Sequence, residues 1–350
     1  MEKPLEKENR ASHRWVEELK ENDPVRGDYL VKFKRMGTTR RGDPYLSMIL
    51  ADRTGEVEAR VWDGAEDAGG SFAEGDIVAV EGKAGSYRNQ VQLILNRVER
   101  SDSAADPSVF LESTQYDVGE MMAALKELLG TLNDPYPRVV GRFLSDAGFV
   151  SKFKRAPAAK SFHHAYLGGL LEHTLSVCRL AAAVSDHYPH LDRDLLLCGG
   201  FLHDIGKVKE LTYNTHIDYS DEGRLVGHLV LGSAMLDEKL SGVKGVPESV
   251  ALRLRHLVLS HHGEFDFGSP KRPKFPEAFA LHLVDDLDAK MNGLSRFMAR
   301  DSREGSWTEF NRLFERYFLK GPIRDSDRAA LRPDPAEEVE DDRQGSLFST

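Results

Sequence analysis

The chain has 350 residues, of which 40% are hydrophobic and 30% are charged, with a formal net charge of −10. This is the composition of a globular protein of about two domains, and its acidity excludes a generally basic nucleic-acid-binding protein without excluding a local basic groove. No apolar run approaches the roughly 18 residues that span a bilayer, and the charged N-terminus lacks a signal-peptide core, so we expect no membrane association.

A polar arm at residues 1–22 opens the chain, and we expect it to be either mobile or folded into a short helix around Trp15, Val16 and Leu19. In residues 23–100, short runs of alternating apolar and polar residues are separated by clusters of Gly, Asp, Asn and Pro. Five of these runs are predicted strands, namely Tyr29–Lys34, Tyr45–Leu50, Glu56–Trp62, Asp76–Gly82 and Gln90–Leu95. Five short strands so close together favour a small closed all-β barrel.

This first domain resembles the OB-fold of nucleic-acid-binding proteins in its Asp52–Gly55 turn, in Val61–Asp63 and in Gly75–Gly82. Such a barrel offers a strand face on which bases stack, with basic residues nearby for phosphates. The candidates for these contacts are Phe33, Tyr45, Trp62, Tyr87, Arg60 and Arg88, together with Lys32, Lys34, Arg40 and Arg41. Alternatively, the aromatic side chains form the barrel core and the charged ones a solvated surface. For any single one of these residues we favour this second interpretation, whereas for the module as a whole we favour nucleic-acid binding.

A polar linker at residues 101–115 leads into residues 116–325, where the apolar period becomes helical. The first helical stripe consists of Met121, Met122, Leu125, Leu128, Leu129 and Leu132. We expect helices to continue almost unbroken to about residue 319, which predicts an all-α second domain. Cys178 and Cys198 lie in apolar helical patterns and are expected to be buried thiols, which favours a reducing, cytoplasmic location.

Histidine and aspartate residues recur where these helices turn toward the core. The pair His203–Asp204 closes an apolar run, followed by Gly206, which we expect to end a helix, and by Lys207, placed to meet an anion. The other inward positions are His173, His228, His261, His262 and Asp285. Burying so many ionisable groups is costly unless they are compensated, and metal coordination compensates them. The alternative is a set of hydrogen-bonded core histidines.

Nitrogen and oxygen ligands without thiolate suit manganese, iron, cobalt or zinc in a catalytic centre rather than a structural zinc site. If Asp204 bridges, the set divides into two half-sites, which predicts a dinuclear centre. Two ions about 4 Å apart activate a water and stabilise a phosphoryl displacement.

The order His, His-Asp, His, His-His, Asp resembles the HD-domain phosphohydrolases. The flanking segments narrow the resemblance, over roughly residues 20–320, to the YhaM family of 3′→5′ exoribonucleases. These segments are His163–Thr174, Leu202–Lys207, Asp218–His228, Leu259–Gly263, Gly268–Pro270 and Leu281–Lys290. The resemblance implies an OB-fold ahead of an HD domain. It also implies metal-dependent trimming of single-stranded RNA, and in some members DNA, from the 3′ end.

The resemblance also implies roles for particular residues. His262 is a further candidate ligand, and we expect two ions of manganese, cobalt or iron. The implied metal ligands are His173, His203, Asp204, His228, His261 and Asp285. Asp286 competes with Asp285, although the motif position matches Asp285. Lys207 and His164 are candidates for contacts to the scissile phosphate beside Asp204, which is expected to be catalytic. Lys271, Arg272 and Lys274 are candidates for holding the strand backbone, or else belong to an ordinary solvated loop.

We therefore predict a cytoplasmic nuclease that releases 5′-mononucleotides. Two alternatives are open: an HD phosphohydrolase acting on nucleotides or cyclic dinucleotides with a regulatory barrel, and a non-catalytic nucleic-acid-binding protein with a structural histidine cluster.

Residues 326–350 form a predicted acidic, disordered tail. Its end resembles the peptide that docks on bacterial sliding clamps, with Gln344, Leu347 and Phe348 as anchors and Gly345 as a departure from the usual Leu. The alternative is a solvated tail with an incidental Leu-Phe pair.

Overall fold

The computed structural model describes residues 13–39, 41–87, 90–101, 106–301 and 303–322. The described residues divide into two compact units, with the division between Asp285 and Asp286. Five of the residues predicted to bind nucleic acid or a partner lie outside the described ranges. They are Arg40, Arg88, Gln344, Leu347 and Phe348.

The first five strands close into a barrel in the order β1-β2-β3-β5-β4, which confirms the predicted OB-fold. Their bounds are Pro24–Thr38 (β1), Pro44–Asp52 (β2), Gly55–Val61 (β3), Ile77–Tyr87 (β4) and Gln90–Arg100 (β5). Strand β1 pairs with both β2 and β4, and its register shifts between Val31 and Phe33. Such an irregularity bends a strand, which allows β1 to reach both neighbours. Strand β3 closes the barrel by pairing in parallel with β5.

Alternation along the strands fills this barrel. Leu46, Met48 and Leu50 on β2 are almost completely buried, whereas the residues between them are partly exposed. A short helix, α1 (Ala65–Ser71), lies between β3 and β4 in the chain. The linker docks on the barrel, because the backbone N–H of Arg53 donates to the carbonyl of Val109 at 2.8 Å. A 3-10 turn at Val16–Glu18 confirms the short helix expected in the arm.

The second domain is built from ten helices within the described residues. Their bounds are Val118–Leu129 (α2), Tyr136–Leu144 (α3), Ala147–Arg155 (α4), Gly169–His187 (α5), Arg193–Leu202 (α6), Lys207–Glu210 (α7), Asp221–Leu225 (α8), His228–Ser241 (α9), Glu248–Ser260 (α10) and Pro276–Arg300 (α11). Helix α6 is buried from Leu195 to Leu202, so it is a central element of the core. The thiols of Cys178 and Cys198 are free and buried, as expected. None of the helices in the described ranges is long and apolar enough to cross a membrane.

Two local expectations for this domain are wrong. The chain from Leu211 to Tyr219 forms a small hairpin of strands β6 (Leu211–Tyr213) and β7 (Ile217–Tyr219). The last helix ends at Arg300, and none of the described residues from 301 to 322 is helical. There, the carboxylate of Asp301 accepts from the N–H groups of Arg303 and Glu309, and Gly305 adopts a left-handed conformation with φ of 112°. A side chain that captures nearby backbone N–H groups competes with helix formation.

Candidate metal centre and nucleic-acid interface

The buried helix α6 carries the chain to His203 and Asp204, which are 0% and 1% exposed. Gly206 follows, but it does not end the helix as expected, because α6 already ends at Leu202 and the φ of Gly206 is −63°. A Cβ at this position would lie 2.1 Å from the carbonyl oxygen of His228 and 2.7 Å from the backbone nitrogen of Gly232. Glycine is therefore required here because α9 packs directly against this turn.

One group of ligand atoms gathers on the Oδ2 side of Asp204. The Nε2 atoms of His173 and His203 lie 3.1 Å apart. Oδ1 of Asp285 lies 3.1 Å from Nε2 of His173, and Oδ2 of Asp204 lies 3.3 Å from Nε2 of His203. Helices α5, α6 and α11 thus bring four residues together that are distant in the sequence. The competing Asp286 is instead paired with Lys290 at 2.7 Å.

A second group gathers on the Oδ1 side of the same carboxylate. His228 and His261 place their Nε2 atoms 3.6 and 3.5 Å from Oδ1 of Asp204. His262 belongs to this group, since its Nε2 lies 3.2 Å from Nε2 of His228. Adjacent histidines converge here because α10 ends at Ser260 and the chain turns at Gly263, where φ is 80°. One ligand atom each of His228, His261 and His262 lies within 4.8 Å of the others.

The Nδ1 atoms of these histidines face outward to acceptors. His203, His261 and His262 each place Nδ1 2.8 to 2.9 Å from a backbone carbonyl, of Gly200, Val258 and Phe267 respectively. His228 places Nδ1 2.8 Å from the carboxylate of Glu210. A carbonyl or carboxylate partner keeps the proton on Nδ1, which leaves an unprotonated Nε2 directed at the centre.

The inward-facing atoms fit a metal ion better than they fit one another. Within the described ranges, Oδ1 of Asp204 and Nε2 of His261 are buried without a hydrogen-bond partner. The unprotonated Nε2 atoms of His228 and His262, which lie 3.2 Å apart, present lone pairs to each other. A divalent cation satisfies lone pairs of nitrogen and carboxylate oxygen together. The residues present therefore suit the metal that an HD domain implies.

Charge in the centre is set by Lys207, whose Nζ lies 2.5 Å from Oδ2 of Asp204. Burial opposes ionisation of Asp204, but Lys207 and His203 outweigh it and hold the pKa of the carboxyl well below its usual value. Burial alone would lower the pKa of Lys207, and Asp204 instead raises it. Burial, followed by the charge of His261, lowers the pKa of His262 to about 4. His262 is thus a neutral imidazole at physiological pH, as a metal ligand must be.

Near this centre, the structure separates two adjacent histidines. His164 is buried, with Nδ1 2.9 Å from the hydroxyl of Tyr166, which donates to Glu172. His163 is half-buried, and its ring centroid lies 5.6 Å from that of His173. The ring centroid of His164 lies 5.4 Å from that of His173, so both residues adjoin this ligand. Sequence reasoning selects His164 and does not single out His163. It also missed Glu210, because no periodicity or motif marks a carboxylate that meets His228 only in the folded chain.

The barrel presents aromatic side chains outward. Phe33, Trp62 and Tyr87 are 42%, 43% and 53% exposed, so the alternative that they form the barrel core is wrong. Tyr45 is half-buried, with its ring 5.2 Å from that of Trp62, and the guanidinium of Arg60 lies 5.2 Å from the Tyr45 ring. Phe33 belongs to β1, Tyr45 belongs to β2 and Trp62 directly follows β3, and these three strands are neighbours in the barrel.

The basic residues predicted to bind nucleic acid differ in how free their side chains are to contact a strand. Nζ of Lys34 donates to the carbonyls of Gly69 and Phe72 beside α1. In the loop before α11, Lys271, Arg272 and Lys274 are exposed, and Arg272 forms an ion pair with Glu264 at 2.7 Å.

Family models agree with this architecture. The model of the OB-fold nucleic acid binding domain matches residues 30–100, and the HD domain model matches residues 170–290. Together with the clustered histidines and aspartates, these matches define a metal-dependent phosphohydrolase joined to a module that binds single-stranded nucleic acid.

Relatives identify the family. The chain is 36% identical over 282 residues to the 3′-5′ exoribonuclease YhaM of Bacillus subtilis (strain 168), an alignment that covers 80% of this chain and 89% of the relative. It is 38% identical over 286 residues to the 3′-5′ exoribonuclease YhaM of Bacillus pumilus (strain SAFR-032), with the same coverage. The chain therefore belongs to the YhaM family, as its motifs indicated. Among solved structures, the chain is similar to the second OB-fold domain of replication protein A from Methanococcus maripaludis, with 18% identity and a TM-score of 0.22 over 27% of this chain and 99% of that domain.

Proposed function

We propose that this chain hydrolyses single-stranded RNA from its 3′ end and releases 5′-mononucleotides. The observation that carries the proposal is the position of Asp204, whose two carboxylate oxygens each face a separate group of imidazole nitrogens. Membership of the YhaM family supports the choice of RNA and of the 3′ end. The outward aromatic face of the barrel supports an unpaired strand as the substrate, since bases that are free of a duplex stack on such rings.

The centre would hold two divalent ions. His173, His203, Asp285 and Asp204 would bind one, and His228, His261, His262 and Asp204 the other. Manganese, cobalt or iron suits these ligands. When bound, such ions polarise phosphoryl oxygens and lower the pKa of a coordinated water.

The chain's own groups prepare this chemistry. Lys207 keeps Asp204 ionised within the core, and its ammonium has further N–H donors for a phosphate oxygen. Glu210 fixes the ring of His228, so that Nε2 faces the centre. His164 stays a predicted phosphate contact, and its bond to Tyr166 restricts how its ring can turn toward a substrate.

We further propose that the barrel captures the strand through Phe33, Tyr45, Trp62, Tyr87, Arg60 and Arg88, and that Lys271, Arg272 and Lys274 hold its backbone. The proposed domain limits are residues 1–22, 23–100, 101–115, 116–325 and 326–350. Free buried thiols support a cytoplasmic location. Docking of Gln344, Leu347 and Phe348 on a sliding clamp rests on the sequence of the tail alone.

The direct test is a degradation ladder on matched 5′-labelled RNA and DNA strands with manganese or cobalt added. The proposal expects RNA to shorten one nucleotide at a time from the 3′ end, with 5′-mononucleotide as the product. DNA and cyclic dinucleotides serve as competing substrates in parallel reactions. If the chain hydrolyses cyclic dinucleotides or free nucleotides but leaves RNA intact, the nuclease assignment is wrong and the chain is a nucleotide phosphohydrolase.

A further inference from the structure

The 3-10 turn from Phe265 to Phe267 exposes two aromatic side chains beside the metal centre. Phe265 is 57% exposed and Phe267 is 62% exposed. Large apolar side chains of this kind are costly to leave in water. They follow His262 by three and five residues, so two exposed rings lie close to the ligands of the centre.

The turn is held firmly by its own backbone. The N–H of Phe267 donates to the carbonyl of Glu264 at 3.2 Å, and the N–H of Gly268 donates to the carbonyl of Phe265 at 2.9 Å. Gly268 has a φ of 82°, a left-handed conformation that favours glycine. The buried hydroxyl of Ser269 then ties the chain back to the carbonyl of Leu259 at 3.0 Å. The two rings are thus carried by a fixed piece of backbone rather than by a loose loop.

His262 connects this turn to the centre. Its Nδ1 lies 2.9 Å from the carbonyl oxygen of Phe267, while its Nε2 lies 3.2 Å from Nε2 of His228. A single imidazole ring therefore separates the backbone of Phe267 from the ligand atoms. A group that rests on this turn is close to whatever the centre acts upon.

The exposed charges near the rings comprise the carboxylates of Glu264 and Asp266 and the cations of the following loop. The guanidinium of Arg272 lies 5.0 Å from the centroid of the Phe265 ring and is oriented by Glu264. Lys271 and Lys274 are exposed in the same loop. Flat apolar rings flanked by cations match a nucleotide, which offers a planar base and an anionic phosphate.

We propose that Phe265 and Phe267 form the platform on which the 3′-terminal base of the strand stacks while its phosphodiester lies at the metal centre. This inference rests on the proposed function and adds to it a subsite for the base. It explains how a strand end can be seated with little regard to sequence, because every base has a π-face. A protein partner on the same turn is the competing explanation.

The test is a binding cycle on the full chain in buffer with a metal chelator, which prevents hydrolysis. It uses two RNA strands that carry a hydrolysis-resistant phosphorothioate at the last linkage. One strand has a normal 3′-terminal nucleotide, and the other has an abasic ribose there. Removing the base should weaken binding to the wild-type chain about tenfold. The Phe265→Ala/Phe267→Ala variant should bind the normal strand about tenfold more weakly and should bind the abasic strand as the wild type does.

Two control variants make the result interpretable. Phe265→Tyr/Phe267→Tyr keeps both rings and should retain wild-type affinity. Tyr188→Ala removes a 48% exposed aromatic ring at the residue that follows α5, about 22 Å from His173 along the helix axis, and should change neither affinity. Thermal unfolding of each variant checks that the fold is intact.

If the Phe265→Ala/Phe267→Ala variant binds both strands more weakly by the same factor, the proposal is overturned. The two rings would then not contact the terminal base. Unchanged binding together with a changed molecular mass in solution would also overturn it and assign the turn to a contact between copies of the chain. Binding is measured without hydrolysis, so the binding cycle still tests whether the rings contact the terminal base if the nuclease assay shows no activity.

Discussion

Oδ1 of Asp204 lies 3.5 Å from Nε2 of His261, and neither atom has a hydrogen-bond partner in the part of the chain that the structure describes. The other oxygen of the same carboxylate lies 3.3 Å from Nε2 of His203 and 2.5 Å from the ammonium of Lys207. One buried carboxylate therefore serves two groups of imidazoles. Because the two groups of histidines share the carboxylate of Asp204, they form a single centre.

The orientation of His228 should depend on Glu210. Replacing Glu210 with Ala leaves Nδ1 of His228 without its acceptor at 2.8 Å, so the ring can turn away from the centre. Loss of such an outer partner lowers metal affinity about 10- to 100-fold. Calorimetric titration of manganese into the metal-free chain measures this change. Glu222→Ala, at an exposed position on α8, is the matched control and should leave affinity unchanged. Equal affinities for all three chains would show that Glu210 does not orient the ligand.

The close approach at Gly206 should be sensitive to a single methyl group. Gly206→Ala places a Cβ 2.1 Å from the carbonyl oxygen of His228, and relieving this overlap moves α9. Overpacking of this kind costs about 1–3 kcal/mol of unfolding free energy. Thermal unfolding should show a lower Tm for this variant. Gly141→Ala, within α3 where a Cβ would contact nothing within 4 Å, should keep or raise the Tm. A Gly206→Ala chain as stable as the wild type would contradict the packing argument.

The outward aromatic face of the barrel should contribute to strand affinity. Trp62→Ala removes a 43% exposed indole that lies against Tyr45, and stacking of one base is worth about 1–3 kcal/mol. Fluorescence anisotropy with a long single-stranded RNA should therefore report weaker binding, with a dinucleotide much less affected. Tyr116→Ala, at a 65% exposed ring outside the barrel, provides the control. If both variants bind the long strand as tightly as the wild type, the barrel face does not carry the strand.

The tail is predicted to bind a sliding clamp. In the full chain, Leu347→Ala with Phe348→Ala removes both apolar anchors of the proposed peptide, whereas Gln344 is retained. Titration calorimetry with purified clamp from the same organism should show micromolar binding by the wild-type chain and none by the double variant. Absence of heat with the wild-type chain at high concentration would end the idea.

Much of the architecture can be read from local patterns. The alternation of Leu46, Met48 and Leu50 predicts a strand with one buried face, and the uniformly apolar run before His203 predicts a central helix. Apolar neighbours at helical spacing show which histidines point to the core, because they fix the buried face of each helix. These signals depend on residues close together in the sequence, and the fold preserves them.

Other features depend on contacts between distant segments and leave no local pattern. Three-residue strands such as β6 are too short to show an alternation of apolar and polar residues. The expected helix does not continue beyond Arg300, because the carboxylate of Asp301 accepts hydrogen bonds from the backbone N–H groups of Arg303 and Glu309. The need for glycine at position 206 arises from α9, which comes later in the chain. The exposure of Trp62 was ambiguous because an aromatic residue at a strand end suits either side of a barrel.

Comparison of the wild-type chain with Asp204→Asn on a 5′-labelled single-stranded RNA, with manganese present, tests the central claim most directly. Asn keeps the shape of the side chain and removes the charge that both groups of ligands share. The account predicts a one-nucleotide ladder from the wild type and at least about a 100-fold loss of cleavage rate in the variant. Strand affinity should be nearly unchanged, because the barrel supplies most of it. Cleavage by the variant within a few-fold of the wild-type rate would contradict a centre built on Asp204.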